Sequence, residues 1–212
     1  QNGPRGSTSG VTLRGLGLKY VKVLVDGIDI GDVSSIPVTA NLSGIMLNEI
    51  ERIEILQGSQ SALYGSSAIG GVISLTTKKA AKESSSVSVE GGTYGTISFN
   101  VGRNFSSEDS DFLLSRSYFS TDGFSAKAGG IENDGYTNSK TSLSGNYYIS
   151  DTSSVSISMF KQEEDGDQDG YDPVTFEFVD KDDEVFSNDS VGIAAGIEMN
   201  SGSVVRNLNF IS

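Results

Sequence analysis

The 212-residue chain contains no cysteine, no histidine and no tryptophan. Without thiols there is no disulfide framework, no thiolate nucleophile and no cysteine-based zinc site. Without imidazole, Ser-His-Asp catalysis and most transition-metal sites drop out, and the chain reads as a protein that is not an enzyme. Positive charge is scarce as well: 15 Lys and Arg stand against 28 Asp and Glu, a net charge of −13. That is the wrong sign for a phosphate-binding surface, so no nucleic acid partner is expected. No apolar run approaches the ~18 residues of a membrane-spanning helix. No signal peptide opens the chain at Gln1, and 204–212 reads as a strand with no turn signal after it, so the sequence reads as an internal piece of a longer protein.

What is present is glycine, serine and alternation. Only 36% of residues are hydrophobic and 26 are glycine, which is poor for a thick soluble core but suits a β-structure whose polar face lines a lumen. Residues 1–80 mix strand and helix signals. The β-branched run 21–26 closes on the turn dipeptide Asp26-Gly27, and 52–56 and 72–77 alternate like strands. Leu42, Ile45, Met46 and Ile50 are spaced for a helix over 41–50, with Asn41 as its cap.

From residue 84 the period becomes two. Val87 and Val89, then Ile97, Phe99 and Val101, then Leu143, Tyr147 and Ile149, then Val155, Ile157 and Met159 alternate with Ser, Asn, Gly and Glu. About seven such segments of roughly ten residues follow one another, the signature of a membrane barrel. In this reading Ile97, Phe99 and Val101 face lipid, while Ser98 and Asn100 face the lumen. After a tight turn at 91–95, the connections alternate between short (106–110, 150–154, 200–203) and long (121–138, 163–189). Periplasmic turns and extracellular loops produce that alternation.

One stretch is more specific than any pattern. Ile50–Ile55 (Ile-Glu-Arg-Ile-Glu-Ile), Gly58, Ala62–Gly65 (Ala-Leu-Tyr-Gly), Ala68–Ser74 (Ala-Ile-Gly-Gly-Val-Ile-Ser) and Lys78-Lys79 follow in order, with Val23-Leu-Val-Asp-Gly27 upstream. This resembles the end of the plug domain of TonB-dependent outer-membrane receptors, with Ser74 for a usual Asn and Gln57 for a usual Arg. The resemblance implies an α+β plug domain, amino-terminally truncated, over 1–80. It implies that 81–212 are the first seven or so strands of a large antiparallel transmembrane β-barrel of roughly 22 strands. It also implies the outer membrane of a Gram-negative bacterium, contact with its lipid, and energy from TonB with ExbB and ExbD through a segment not present here. A small-molecule ligand would meet the plug loops 31–39 and 59–64 at Ser34, Ser35, Pro37, Leu63 and Tyr64, with Pro173 approaching from the barrel side; the competing reading of Leu63 and Tyr64 is plug core.

Acidic residues crowd 163–172, followed by Asp180, Asp182, Asp183 and Glu184. Such runs are most often solvated faces, but hard oxygens with almost no neighbouring Lys or Arg suit Ca²⁺. Asp165-Gly-Asp-Gln-Asp-Gly170 fits the first half of an EF-hand loop, yet position twelve falls on Phe176 and the flanks read as strands, so an EF-hand is rejected. Glu132-Asn-Asp-Gly-Tyr136 and Gly170-Tyr-Asp-Pro173 resemble calcium-loop segments of the cobalamin receptors within the TonB-dependent family. That likeness implies Glu132, Asp134, Tyr171, Asp172 and Asp183 as calcium ligands, no organic cofactor, and cobalamin as ligand; Ser125 stands where those receptors carry another Asp. The alternatives are a siderophore or haem receptor of the same fold, and a calcium-binding β-rich adhesin or secreted hydrolase. Residues 65–71 lack the Lys-Ser/Thr of a phosphate loop, and Tyr20 breaks a dinucleotide fingerprint beginning at Gly15.

Overall fold

The computed structural model describes residues 5–6, 9–31, 37–78, 83–125, 127, 129–179, 185–201 and 204–211. The chain divides into two compact units, Gln1–Lys78 and Lys79–Ser212.

The first unit is built on a four-stranded sheet in the order β2-β1-β4-β3. Its strands are β1 (Val21–Val25), β2 (Ile28–Asp29), β3 (Ile50–Gln57) and β4 (Gly71–Thr77). β1 and β4 run parallel in the middle, as their apolar runs require. Val21, Val23, Ile73 and Leu75 are buried with Ala40 on one face, against partly buried Val11, Leu13, Ile30, Leu42 and Ile45. Leu24, Val72 and Ala68 form a smaller cluster, onto which Tyr64 packs. The β1–β2 turn is the Asp26-Gly27 pair, both at positive φ (50° and 84°), as a two-residue type I′ hairpin demands. Asp26 also grips β4: its carboxylate accepts from the Thr77 amide at 2.9 Å and the Thr77 hydroxyl at 2.6 Å.

The helix expected over 41–50 does not form. A single 3-10 turn, Leu47–Glu49, occupies its end. Asn41 accepts hydrogen bonds from the amides of Ser9 (2.9 Å) and Ser43 (3.1 Å), so its side chain closes a loop instead of capping a helix. Leu42 and Ile45 reach the core from this irregular segment. Burial satisfied their spacing without helical hydrogen bonds.

The second unit is a seven-stranded antiparallel sheet in the order β13-β12-β9-β8-β7-β6-β5. Its strands are β5 (Ser84–Gly91), β6 (Ile97–Ser106), β7 (Ser110–Thr121), β8 (Tyr136–Ser150), β9 (Ser153–Asp167), β12 (Val185–Ser201) and β13 (Val204–Ile211). A two-stranded hairpin, β10 (Gly170–Tyr171) with β11 (Phe178–Val179), lies within the long β9–β12 connection. β8 and β9 have 15 residues each and β12 has 17, more than the ~9–11 that a tilted strand needs to cross a membrane. The long connections are therefore shorter than their composition suggests, because the acidic stretch 163–166 is paired on both sides, with 136–139 and 186–189.

Register sorts the two faces. One row reads Phe105, Phe112, Gly145, Ile157, Ala195, and another Tyr147, Val155, Ile197. The opposite face carries Asn100, Ser117, Ser115, Ser142, Asn104 and Ser84, joined across strands by hydrogen bonds of 2.7–2.8 Å. Ile97, Phe99 and Val101 fall on the apolar face, with Ser98 and Asn100 on the polar one. The row of Phe99, however, continues through Tyr118 and Ser139 to Glu163 and Asp189, at the polar margin of the apolar face. Charge at Phe99 should therefore be cheap, about 0–1 kcal/mol. Ile157→Arg, in a wholly apolar row, should cost about 2–4 kcal/mol, and Ser158→Arg on the polar face far less. Denaturant unfolding of the full-length protein in lipid measures the difference; equal tolerance at 157 and 158 would contradict the facing.

Candidate ligand and cation site at the long-loop end

The 122–135 and 168–184 connections leave the same end of the second unit. The registers Tyr136↔Gly166 and Val185↔Asp167 bring their bases side by side. Three hydrogen bonds, two of them to aspartate side chains, tie them together. The Gly135 amide donates to Asp167 Oδ2 (3.2 Å), the Asp167 amide to the Gly135 carbonyl (2.9 Å), and the Lys127 amide to Asp169 Oδ2 (2.8 Å). Within the first connection Gly123, at φ +69°, lies so close to Asp134 that a Cβ would stand 1.9 Å from the Asp134 carbonyl oxygen. Only glycine allows that approach.

Among the described residues, this arrangement gathers the carboxylates of Glu132, Asp134 and Asp169, with one oxygen from each within 4.8 Å of the others. Asp134 is fully buried. Oxygens that share one Ca²⁺ at roughly 2.3–2.6 Å stand no more than about 5 Å apart, so both the chemistry and the spacing of this donor set fit that ion. Alongside lies a cleft of about 510 Å³ lined by Asp122, Asn133, Thr137, Asp165 and Asp167.

A buried polar network supports the site from below. Glu164 Oε1 accepts from the Tyr136 hydroxyl (2.6 Å) and Asn138 Nδ2 (3.4 Å), and Oε2 accepts from Asn188 Nδ2 (3.0 Å). Asn138 Nδ2 also donates to the Tyr136 oxygen at 2.9 Å. The Tyr136 ring sits between Phe119 (6.0 Å) and Phe186 (6.2 Å). Three strands are thus locked together where the loops emerge.

The expected calcium ligands separate. Glu132 and Asp134 come together, with Asp169 as a third carboxylate that the sequence reading passed over. Asp172 stands apart from that group: its Oδ1 accepts from the amides of Val174 and Thr175 (2.8 Å each), which fixes the turn of the β10–β11 hairpin. Tyr171 is exposed, with its ring edge-on to Phe178 at 5.3 Å. Pro173 is exposed on the same turn. Asp183, Ser34 and Ser35 lie outside the described residues.

In the first unit, β2 runs back along β1 (Leu24↔Asp29) and β3 ends opposite the start of β4 and β1 (Gln57↔Gly71, Val21↔Gly71). The chain therefore leaves β2 and β3 at one end of the sheet, the end that bears both expected ligand loops. Pro37 is exposed there. In helix α1 (Ser61–Tyr64) the pair Leu63-Tyr64 splits: Leu63 is 81% exposed, whereas Tyr64 packs onto Leu24, Ala68 and Val72. Lys22, unremarked in the sequence, links the end of β2 to the end of α1. Its ammonium donates to the Tyr64 carbonyl (2.8 Å) and pairs with Asp29 Oδ2 (3.0 Å).

The TonB-dependent Receptor Plug Domain family model matches residues 1–72. The vitamin B12 transporter BtuB of Photobacterium profundum is 31% identical over 174 residues, 79% of this chain and 28% of that protein. The chain thus spans a little over a quarter of the length of this curated relative. Among solved structures, the siderophore receptor PirA from Acinetobacter baumannii aligns with a TM-score of 0.70 at 20% identity, over 98% of this chain and 34% of its own. The ferric-catecholate import receptor Fiu from E. coli K12 aligns with a TM-score of 0.71 at 15% identity, over 95% and 33%. At such identities the two receptors speak to the fold alone. Residues 1–72 thus belong to the TonB-dependent receptor plug domain family, and the antiparallel strands that follow resemble the start of a TonB-dependent barrel.

Proposed function

We propose that the full-length protein is an outer-membrane receptor that imports cobalamin, driven by TonB with ExbB and ExbD, and that Glu132, Asp134 and Asp169 hold Ca²⁺ in its extracellular loops. The observation that carries the ligand class is charge. Residues 122–135 and 168–179 hold six carboxylates (Asp122, Glu132, Asp134, Asp169, Asp172, Glu177) and a single cation, Lys127. A ferric tris-catecholate is a trianion, and these loops stay net negative even with one Ca²⁺ bound, which opposes its close approach. A neutral corrinoid meets no such barrier. The 31% identity to a vitamin B12 transporter supports the same choice.

When bound, Ca²⁺ supplies the positive charge that lets three carboxylates share one point. The chain's own part is to bring them there: Gly123 permits the close approach to Asp134, the Lys127 amide orients Asp169, and the paired Gly135 and Asp167 hold the two loop bases in register. Loops ordered in advance of the ligand no longer draw on its binding energy to become fixed. The test is competition on the full-length receptor in detergent. Cyanocobalamin should bind, and ferric enterobactin should fail to displace it. Displacement by the ferric chelate, or tighter binding of that chelate, would overturn the cobalamin reading in favour of a siderophore receptor.

A further inference from the structure

Lys22 is the second residue of β1, and its side chain is only 18% exposed. A strand position so nearly buried ordinarily takes an apolar residue, so an ammonium there needs partners. It has two, from segments far apart in sequence. One is the Tyr64 carbonyl at 2.8 Å, a helix-terminal acceptor left open at the end of α1. The other is Asp29 Oδ2 at 3.0 Å. The remaining oxygen of Asp29, Oδ1, accepts from the Gly31 amide at 3.0 Å and so sets the direction in which the chain leaves β2. The base of that loop is closed by a bridge between Gly31 and Ala40. On the other side Tyr64 anchors α1 to the core, leaving Leu63 outward. One ammonium therefore joins the exit of β2, through Asp29, to the end of α1.

We propose that Lys22 is a positioning residue that ties the exit of β2 at Asp29 and Gly31 to the end of α1 at Tyr64, so that these two segments loosen and tighten together. The proposal rests on the reading of both loops as ligand contacts only for its consequence in binding; the tie itself stands on the geometry. A ligand that settles against either segment then steadies the other through the shared ammonium.

Hydrogen exchange on the full-length receptor without ligand tests the tie. Lys22→Met keeps the stem and removes the donors. It should raise exchange at the Gly31 and Gly65 amides together, leave β4 amides protected, and give way to near wild-type exchange in Lys22→Arg. Asp29→Asn should loosen both segments, with little added by combining it with Lys22→Met. Loosening confined to one loop, or no change at either, overturns the proposal whatever the ligand is. In a second arm cyanocobalamin affinity should fall about tenfold in Lys22→Met. A receptor whose two loops loosen together, yet which binds no cyanocobalamin in wild-type form, upholds the tie and overturns the cobalamin reading alone.

Discussion

Gly71→Ala should be among the most damaging single changes in the chain. Gly71 opens β4 between Val21 of β1 and Gln57 of β3, at φ +144°. A Cβ there would stand 2.4 Å from the Leu56 carbonyl oxygen and 3.0 Å from Leu13 Cδ1. The first neighbour is backbone and has nowhere to go without breaking the β3–β4 ladder. Strain at such a φ and overpacking each cost about 1–3 kcal/mol, so a loss of about 3–5 kcal/mol is expected. Limited proteolysis and urea unfolding of the plug within the full-length receptor would report it. Gly17→Ala is the control: Gly17 has φ −73° and no atom within 4 Å of the added carbon. It should change stability by less than about 0.5 kcal/mol.

Glu164→Ala should come next. The side chain is buried at 7% exposure and accepts from Tyr136, Asn138 and Asn188. Removing a shared acceptor strands buried donors at about 1–3 kcal/mol each, and partial rehydration should bring the total to about 3–4 kcal/mol. Glu164→Gln should lose less, because one amide oxygen still accepts while its amino group opposes a donor. Since Tyr136 adjoins Gly135, whose amide and carbonyl both bond Asp167, the damage should also reach the carboxylate site. Urea midpoints for the three proteins, with and without Ca²⁺, measure both effects. An unchanged midpoint in Glu164→Ala would contradict the network.

Much of the fold was legible because its signals are local. Asp26-Gly27, the alternation of 97–101 and 155–159, and the ordered motif from Ile50 to Lys79 each carry their own structural demand. The helix expected over 41–50 failed because a spacing of three and four also serves an irregular segment draped on a sheet, and Asn41 had loop amides to bind instead. The strand ends were underestimated for a related reason. Glu163 and Asp165 have low strand propensity, but a ladder with partners on both sides overrides propensity. At the site, Asp169 and Asp172 are equivalent in sequence, two acids three apart in a glycine-rich run. Which one turns inward depends on the β10–β11 hairpin, whose turn takes Asp172 as its cap. Lys22 gave no signal, because its partners come from the β1–β2 hairpin and from the end of α1, forty-two residues away in sequence.

The most direct test is a cyanocobalamin titration of the full-length receptor in millimolar Ca²⁺ and again in chelator, for wild type and Asp169→Asn. Extracellular calcium sites work at roughly 10⁻⁴–10⁻³ M, which sets the concentration. The proposed site predicts that Ca²⁺ tightens cobalamin in the wild type by a factor of about 5–150, that cobalamin tightens Ca²⁺ by the same factor, and that Asp169→Asn loses most of both. Identical wild-type isotherms with and without Ca²⁺ would contradict it and leave the acidic loops as solvated surface.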